Sequence, residues 1–230
     1  MRDSRYPELE SLIKEYEEDS RTIKPERLIM KNYPKIFTMS AASSFEYQIK
    51  RRCQEFLDAL GPAVASYPNI CILRQRKPKE DQMFAKLEGY LGLDGERLNA
   101  EKFYELFGGQ TFKEMVREHF FKEKAAVLEK ITAKIAGLSA LLGQGEQYDF
   151  DYAKQSELKD SIEHCSFTDA EQAYLGLKLR RNRVAHSYIN GLSDTFEDIE
   201  KFYHPAVIYV VALELSIQEL TSFYEDGYPT

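Results

Sequence analysis

Residues 174–189 read YLGLKLRRNRVAHSYI, and the order of apolar and polar positions in this stretch is helical. At about 100° per residue, Tyr174, Leu177, Arg181, Val184 and Tyr188 fall on one stripe. Leu175, Leu179, Asn182, His186 and Ile189 fall on a second. Arg181, Asn182 and His186 thus interrupt apolar stripes instead of lying on a solvated face. Polar groups placed this way must be paired within the fold, or must line a cleft or an interface. Asn182 and His186 are four apart and can meet directly. Arg181 and His186 are five apart, about 140° around an ideal helix. Two arrangements fit that spacing. In one, His186 bonds to Asn182 and Arg181 pairs with an acid on a neighbouring helix. In the other, the three groups converge on a ligand through the reach of Arg, a distorted turn or a second subunit.

The flanking sequence supplies ends for this helix. Thr168-Asp169-Ala170-Glu171 reads as a capping box, with Thr168 as N-cap and a carboxylate three residues on. The helix is expected over residues 169–189, with Gly191 ending it. Asp194-Thr195-Phe196-Glu197 opens a last long helix to about Tyr224, which Pro205 should kink or start late. Upstream, a helix is expected from Lys35 to Leu60, stopped by Gly61-Pro62. Its buried side would carry Ile36, Phe37, Met39, Ala42, Phe45, Ile49, Cys53, Phe56, Leu57 and Leu60. Asn99 caps a short helix, Ala100–Phe107, closed by Gly108-Gly109. Long helices follow over about Thr111–Leu142 and Tyr152–Cys165, separated by a loop with Gly143 and Gly145. Pro7 opens an N-terminal helix carrying Leu9, Leu12, Ile13 and Tyr16. Residues 67–79 fit either a strand or a helical turn. Their basic run, Arg74, Arg76, Lys77 and Lys79, fits a solvated loop or an arm for a nucleic-acid backbone. The expected fold is therefore all-α: one domain over residues 1–230, an up-and-down helical bundle. Its core lies in about 35–60 and 111–224, with 62–110 an irregular or helical elaboration.

Composition narrows the function. The chain has 230 residues, 43% of them hydrophobic, enough for one sizeable core. With 15 Tyr, 14 Phe and no Trp, much of the interior must be aromatic, and many hydroxyls need partners. A formal net charge of −7 excludes duplex DNA binding driven by overall charge, so specific DNA is not an expected partner. Cys53, Cys71 and Cys165 form no metal-type pair, and His119, His164, His186 and His204 are scattered. No metal or cofactor is expected, and a metal-dependent nuclease lacks a suitably spaced cluster of Asp, Glu and His. The charged N-terminus is not a signal peptide. The longest apolar run, near Ala206–Leu213, is short of a membrane span. The expectation is a soluble, cytoplasmic protein with no membrane partner.

Arg181-Asn182-Arg183-Val184-Ala185-His186 resembles the Arg-x4-to-6-His motif of the HEPN superfamily, in its Arg-Asn-x-x-Ala-His form. In that family the motif lies near the end of a late helix, as it does here. Ala41-Ala42-Ser43-Ser44-Phe45-Glu46 resembles the early helix of the RiboL-PSP-type HEPN branch. Asn99–Gly108, NAEKFYELFG, is similar to a segment between that branch's early and late helices. The resemblance covers about residues 35–215. It implies a homodimer whose motif helices face each other, and metal-independent cleavage of RNA by the neighbouring 2′-hydroxyl. The products would be a 2′,3′-cyclic phosphate and a 5′-hydroxyl. In that reading His186 moves protons, Arg181 stabilises the phosphorane charge, and Asn182 orients His186 or holds a phosphate oxygen.

Around the motif, Arg180, Arg183 and Lys178 are helix-surface residues, either solvated or touching RNA backbone on the cleft rim. Glu46 is either a surface residue or the partner that positions Arg181. Arg181-x4-His186-x-Tyr188 also matches HEPN toxins paired with a nucleotidyltransferase antitoxin, in which the Tyr is modified with AMP. This chain is much longer than those, and Tyr188 also suits the core stripe. The resemblance implies a toxin or defence ribonuclease, with a cognate antitoxin or defence partner. The competing expectation is a non-catalytic helical domain that binds nucleotide or a protein partner and keeps the motif for structure. The two differ in whether Arg181 and His186 share an open polar cleft or are locked in buried pairs.

Overall fold

The computed structural model describes residues 25–60, 100–142, 146–186 and 194–225. Over these residues the chain is all-α. Six helices follow in order: α1 (Pro25–Leu60), α2 (Ala100–Phe107), α3 (Gln110–Ser139), α4 (Glu146–His164), α5 (Phe167–His186) and α6 (Phe196–Glu225). The expected N-terminal helix, residues 61–99 with their basic run, and Tyr188 lie outside the described residues.

Helix α6 is the centre of the bundle, packed against α1, α3, α4 and α5. By length and composition its residues Phe196–Phe223 are apolar enough to cross a membrane, which is also the character of a core helix covered by its neighbours. α5 runs antiparallel to it: Tyr174 and Phe167 pack on Tyr209, while Arg180 lies over Phe202. The interior is aromatic, as composition required. Phe103, Phe107 and Phe112 pack together beside Phe56, and Phe120 meets Phe167 edge-on at 5.6 Å.

Two prolines lie inside helices. α1 begins at Pro25, ten residues before the expected start, and runs through Pro34. Tyr33 and Phe37 both pack on Phe196, at 5.9 and 5.3 Å, holding the helix on either side of the lost donor. Pro205 likewise lies inside α6, which starts at Phe196 as expected, so Pro205 does not mark a late start. It is flanked by Tyr203, packed on Phe37, and Tyr209, packed on Phe167.

The cap of α5 is also corrected. Ser166 Oγ accepts from the Asp169 amide at 3.1 Å, and Asp169 Oδ2 accepts from the Ser166 amide at 3.0 Å. The capping box is Ser166-Phe167-Thr168-Asp169, two residues before the expected one. Glu171 was unavailable for a cap because it is buried. Its Oε1 accepts from the Tyr104 hydroxyl at 2.5 Å, with Tyr209 at 3.3 Å, tying α2, α5 and α6 together. At α6, Thr195 and Asp198 form the same reciprocal pair. Gly108 and Gly109 adopt positive φ, 123° and 62°, and make the tight turn from α2 into α3.

Candidate active site

Helices α1 and α5 lie antiparallel, which brings Glu46 opposite Arg181. Arg181 Nη2 donates to Glu46 Oε2 at 2.7 Å, and both side chains are nearly buried. Of the two expectations for Glu46, pairing with Arg181 is the one the structure shows. Lys50, one turn along α1, approaches the other oxygen, Oε1, at 3.3 Å. Arg181 Nε is buried and makes no hydrogen bond among the described residues.

The rest of the motif divides by face. Asn182 is buried. His186, the last described residue of α5, is exposed, and so is Arg183. His186 has no hydrogen bond or ion pair among the described residues. Arg181 and His186 therefore occupy different environments, in keeping with their angular separation on a helix: one is clamped at the α1–α5 seam, and one is open to solvent at the last described position of α5.

Of the three cations expected on the rim, Arg183 is exposed. Arg180 is half-buried, with Nε donating to Asp194 Oδ2 at 2.5 Å and the guanidinium 4.0 Å from the Phe202 ring centre. Lys178 is a correction. It is fully buried, so it cannot touch RNA from a rim. The reason is positional: Lys178 follows Leu177 and is one turn from Tyr174 and Arg181, on the face that α1 covers.

Lys178 organises the electrostatics of this seam. Burial pushes the Lys178 ammonium down to about 8, and Glu46 only partly offsets that by favouring the charged form. Burial also pushes the Glu46 carboxyl up, but Lys178, Arg181 and Lys50 together outweigh it and hold Glu46 below its ordinary range. The Tyr174 hydroxyl, buried beside this cluster, is raised well above its usual range by burial and by the Glu46 charge. Lys178 Nζ and the Tyr174 hydroxyl make no hydrogen bond among the described residues. The signal in the sequence was its spacing, four residues after Tyr174 and three before Arg181, which places Lys178 beside the apolar stripe.

A separate cleft of about 180 Å³ lies between α4 and α6, lined by Lys154, Glu157, Ser161, Glu197, Glu200 and His204 among others. It is not part of the motif. Burial lowers the His204 imidazole, and Glu200 opposes that shift. Among the described residues, no group of three His, Cys, Asp or Glu side chains is placed to hold a metal ion. Cys53 and Cys165 are free and buried.

No protein-family model, curated protein or solved structure matches this chain.

Proposed function

We propose that this chain is a metal-independent endoribonuclease of the HEPN type, with Arg181, Asn182 and His186 as its reacting set. The observation that carries the reading is the exposed His186 on the helix whose Arg181 is anchored by Glu46; within one chain the two share no open cleft, so a second subunit would have to bring them to one phosphate. Glu46 anchors Arg181 through one nitrogen, while His186 stands open to solvent within the same last two turns. Arginine has five donors in a planar fork, so one anchored nitrogen leaves others to meet a phosphate. An exposed imidazole can reach a substrate and pass a proton.

In this reading the RNA 2′-oxygen attacks phosphorus, the bond to the 5′-oxygen breaks, and a 2′,3′-cyclic phosphate and a 5′-hydroxyl result. Neutral His186 takes the 2′-hydroxyl proton, and an imidazolium returns one to the departing 5′-oxygen. Arg181 offers its remaining donors to the charge that develops on the phosphorane oxygens. A homodimer would supply two such sets, one imidazole to take the proton and one to give it. Arg183 is exposed and suited to backbone contact. The proposed setting is a toxin or defence ribonuclease in the cytoplasm.

A second reading rests on the near-burial of the Arg181–Glu46 pair and on the cleft that lies elsewhere, between α4 and α6. It is a non-catalytic helical domain that binds nucleotide or a protein partner. Incubating the purified chain with mixed RNA in EDTA separates the two. Fragments ending in 2′,3′-cyclic phosphate are expected. RNA left intact by well-folded protein in excess would favour the non-catalytic reading.

A further inference from the structure

Residues 32–49 of α1 expose no charged side chain, in a chain of which 30% is charged. Their two charged residues, Lys35 and Glu46, are buried. The exposed positions are Tyr33, Ile36, Ser40, Ser43, Ser44 and Tyr47. Positions 33, 36, 40, 43 and 47 are spaced alternately three and four apart, so they make one stripe down the helix. Among the described residues seven large hydrophobic side chains are exposed, and three of them lie on this stripe: Tyr33, Ile36 and Tyr47, at 51%, 55% and 68%. Scattered singly they would mean nothing, but grouped on one face they mark a surface that is meant to be covered. The stripe is centred about 100° around α1 from Glu46. It therefore flanks the seam with α5, opposite Phe45, which packs on Tyr203 of α6.

α1 and α5 are antiparallel, with Glu46 opposite Arg181. His186 lies five residues further along α5, which puts it at the level of residue 41 on α1. That level is the middle of the stripe, and His186 is itself exposed there. We propose that a second copy of the chain docks on this face, α1 antiparallel to α1, about a twofold axis that passes between Ser40 and Ser43. The contact brings the exposed His186 of both copies toward the axis, into one shared site. What the joined site does rests on the ribonuclease reading; the contact itself does not.

A second copy is the occupant because the face is complementary to itself. In this register Ile36 meets Tyr47 of the partner subunit, and Ser40 meets Ser43 of the partner subunit. Apolar ends then lie on apolar ends, and small side chains at the centre let the two axes approach. No charge is stranded by the contact. Lys35 and Glu46 are buried within each copy, and at the edge of the stripe Arg51 and Arg52 are held by Glu55 at 3.7 and 2.8 Å. Residues 32–49 span about 27 Å of helix. Two such faces with their flanks bury on the order of 1,200 Å², where specific interfaces begin. RNA or an anionic membrane would call for exposed cations within the stripe, and it has none. The exposed Phe121 and Phe150 differ, since each is covered by a cation of its own helix, Arg117 and Lys154.

The test uses the full chain in analytical ultracentrifugation. Wild type is expected to dimerise at micromolar concentration. Tyr47→Glu removes two rings from each twofold interface and should weaken the dimer on the order of a hundredfold or more, with helical circular dichroism unchanged. Cross-linking fixes the register. The double variant S40C/S43C, treated with a short bismaleimide, should give a covalent dimer above the wild-type background. Q54C, exposed on the same helix but beyond the stripe, should not. A wild-type monomer overturns the proposal, as does a dimer that Tyr47→Glu leaves intact, or S40C/S43C linking no better than Q54C. If Tyr47→Glu does not fold, the cross-links decide. A folded, monomeric Tyr47→Glu that cuts RNA at the wild-type rate overturns the shared site. If the wild-type dimer forms on this face and cuts no RNA, the ribonuclease reading falls and the interface stands.

Discussion

Arg181 Nη2 on α5 donates to Glu46 Oε2 on α1 at 2.7 Å, joining residues 135 positions apart in the chain. The pair both closes the α1–α5 seam and fixes the motif arginine. Removing one partner leaves the other charge nearly buried, which costs far more than an exposed pair is worth. Glu46→Ala is therefore expected to destabilise the chain by about 3 kcal/mol. Glu46→Gln, which keeps an acceptor for Arg181, should cost less. Urea unfolding of both variants checks this, and equal stability of Glu46→Ala and wild type would contradict the pairing.

The two motif residues should separate in stability although they act together in catalysis. His186 is exposed, so His186→Ala is expected to leave the melting temperature unchanged while lowering RNA cleavage about 10²–10⁴-fold. Arg181→Ala is expected to lower cleavage about 10²–10³-fold and also to cost stability, because Glu46 loses its hydrogen-bonded partner. Cleavage in EDTA and melting temperature, measured on the same two proteins, test both parts. Wild-type cleavage by either folded variant would remove this site from the reaction.

Lys178 gives a pH-dependent stability with a definite sign. Its folded-state pKa of about 8 lies below the ordinary lysine value of 10.5, so the ammonium is disfavoured by folding. The penalty is fully present below pH 8 and relaxes as pH rises from there toward 10.5. Lys178→Met should therefore be more stable than wild type at pH 7, on the order of 2–3 kcal/mol, with the gap narrowing above pH 8. The comparison is made between the two proteins because Cys53 and the buried tyrosines, all raised, destabilise the fold at alkaline pH in both. A gap that does not change between pH 7 and about 10 would show that Lys178 is not titrating in the fold.

Glu46 gives the acid limb. Its carboxyl is held below the ordinary value despite burial, by Lys178, Arg181 and Lys50. The stability it contributes is present above the ordinary carboxylate range and is lost as pH falls through its lowered pKa. Glu46→Gln should flatten that part of the acid unfolding curve, as followed by circular dichroism. An unchanged acid limb would argue against an ionised Glu46.

The register of the α5 cap can be read from two hydroxyls. Ser166→Ala removes the acceptor for the Asp169 amide and is expected to cost about 1 kcal/mol. Thr168→Ala should have little effect, because Thr168 is exposed and lies inside the helix. The opposite order in thermal unfolding would restore the cap at Thr168.

The amino-acid sequence by itself determined the helices. A 3.6-residue apolar period, with Gly108-Gly109 closing α2, depends only on neighbours in the chain, and it placed α2, α3, α5 and α6 near their observed positions, while α4 begins at Glu146, six residues before the expected start. The Arg181, Asn182 and His186 pattern was equally local, and so was their separation around the helix. Tertiary structure decided which polar residue meets which. Glu171 resembles a capping carboxylate until Tyr104 and Tyr209, from two other helices, claim it. Pro205 resembles a late helix start until Tyr203 and Tyr209, on either side of it, pack on α1 and α5. Lys178 resembles a surface cation until α1 covers it and presents Glu46. A helical period tells how residues are arranged around one axis. Burial, ion pairing and pKa depend on the helix that arrives from elsewhere in the chain, and that contact is made only on folding.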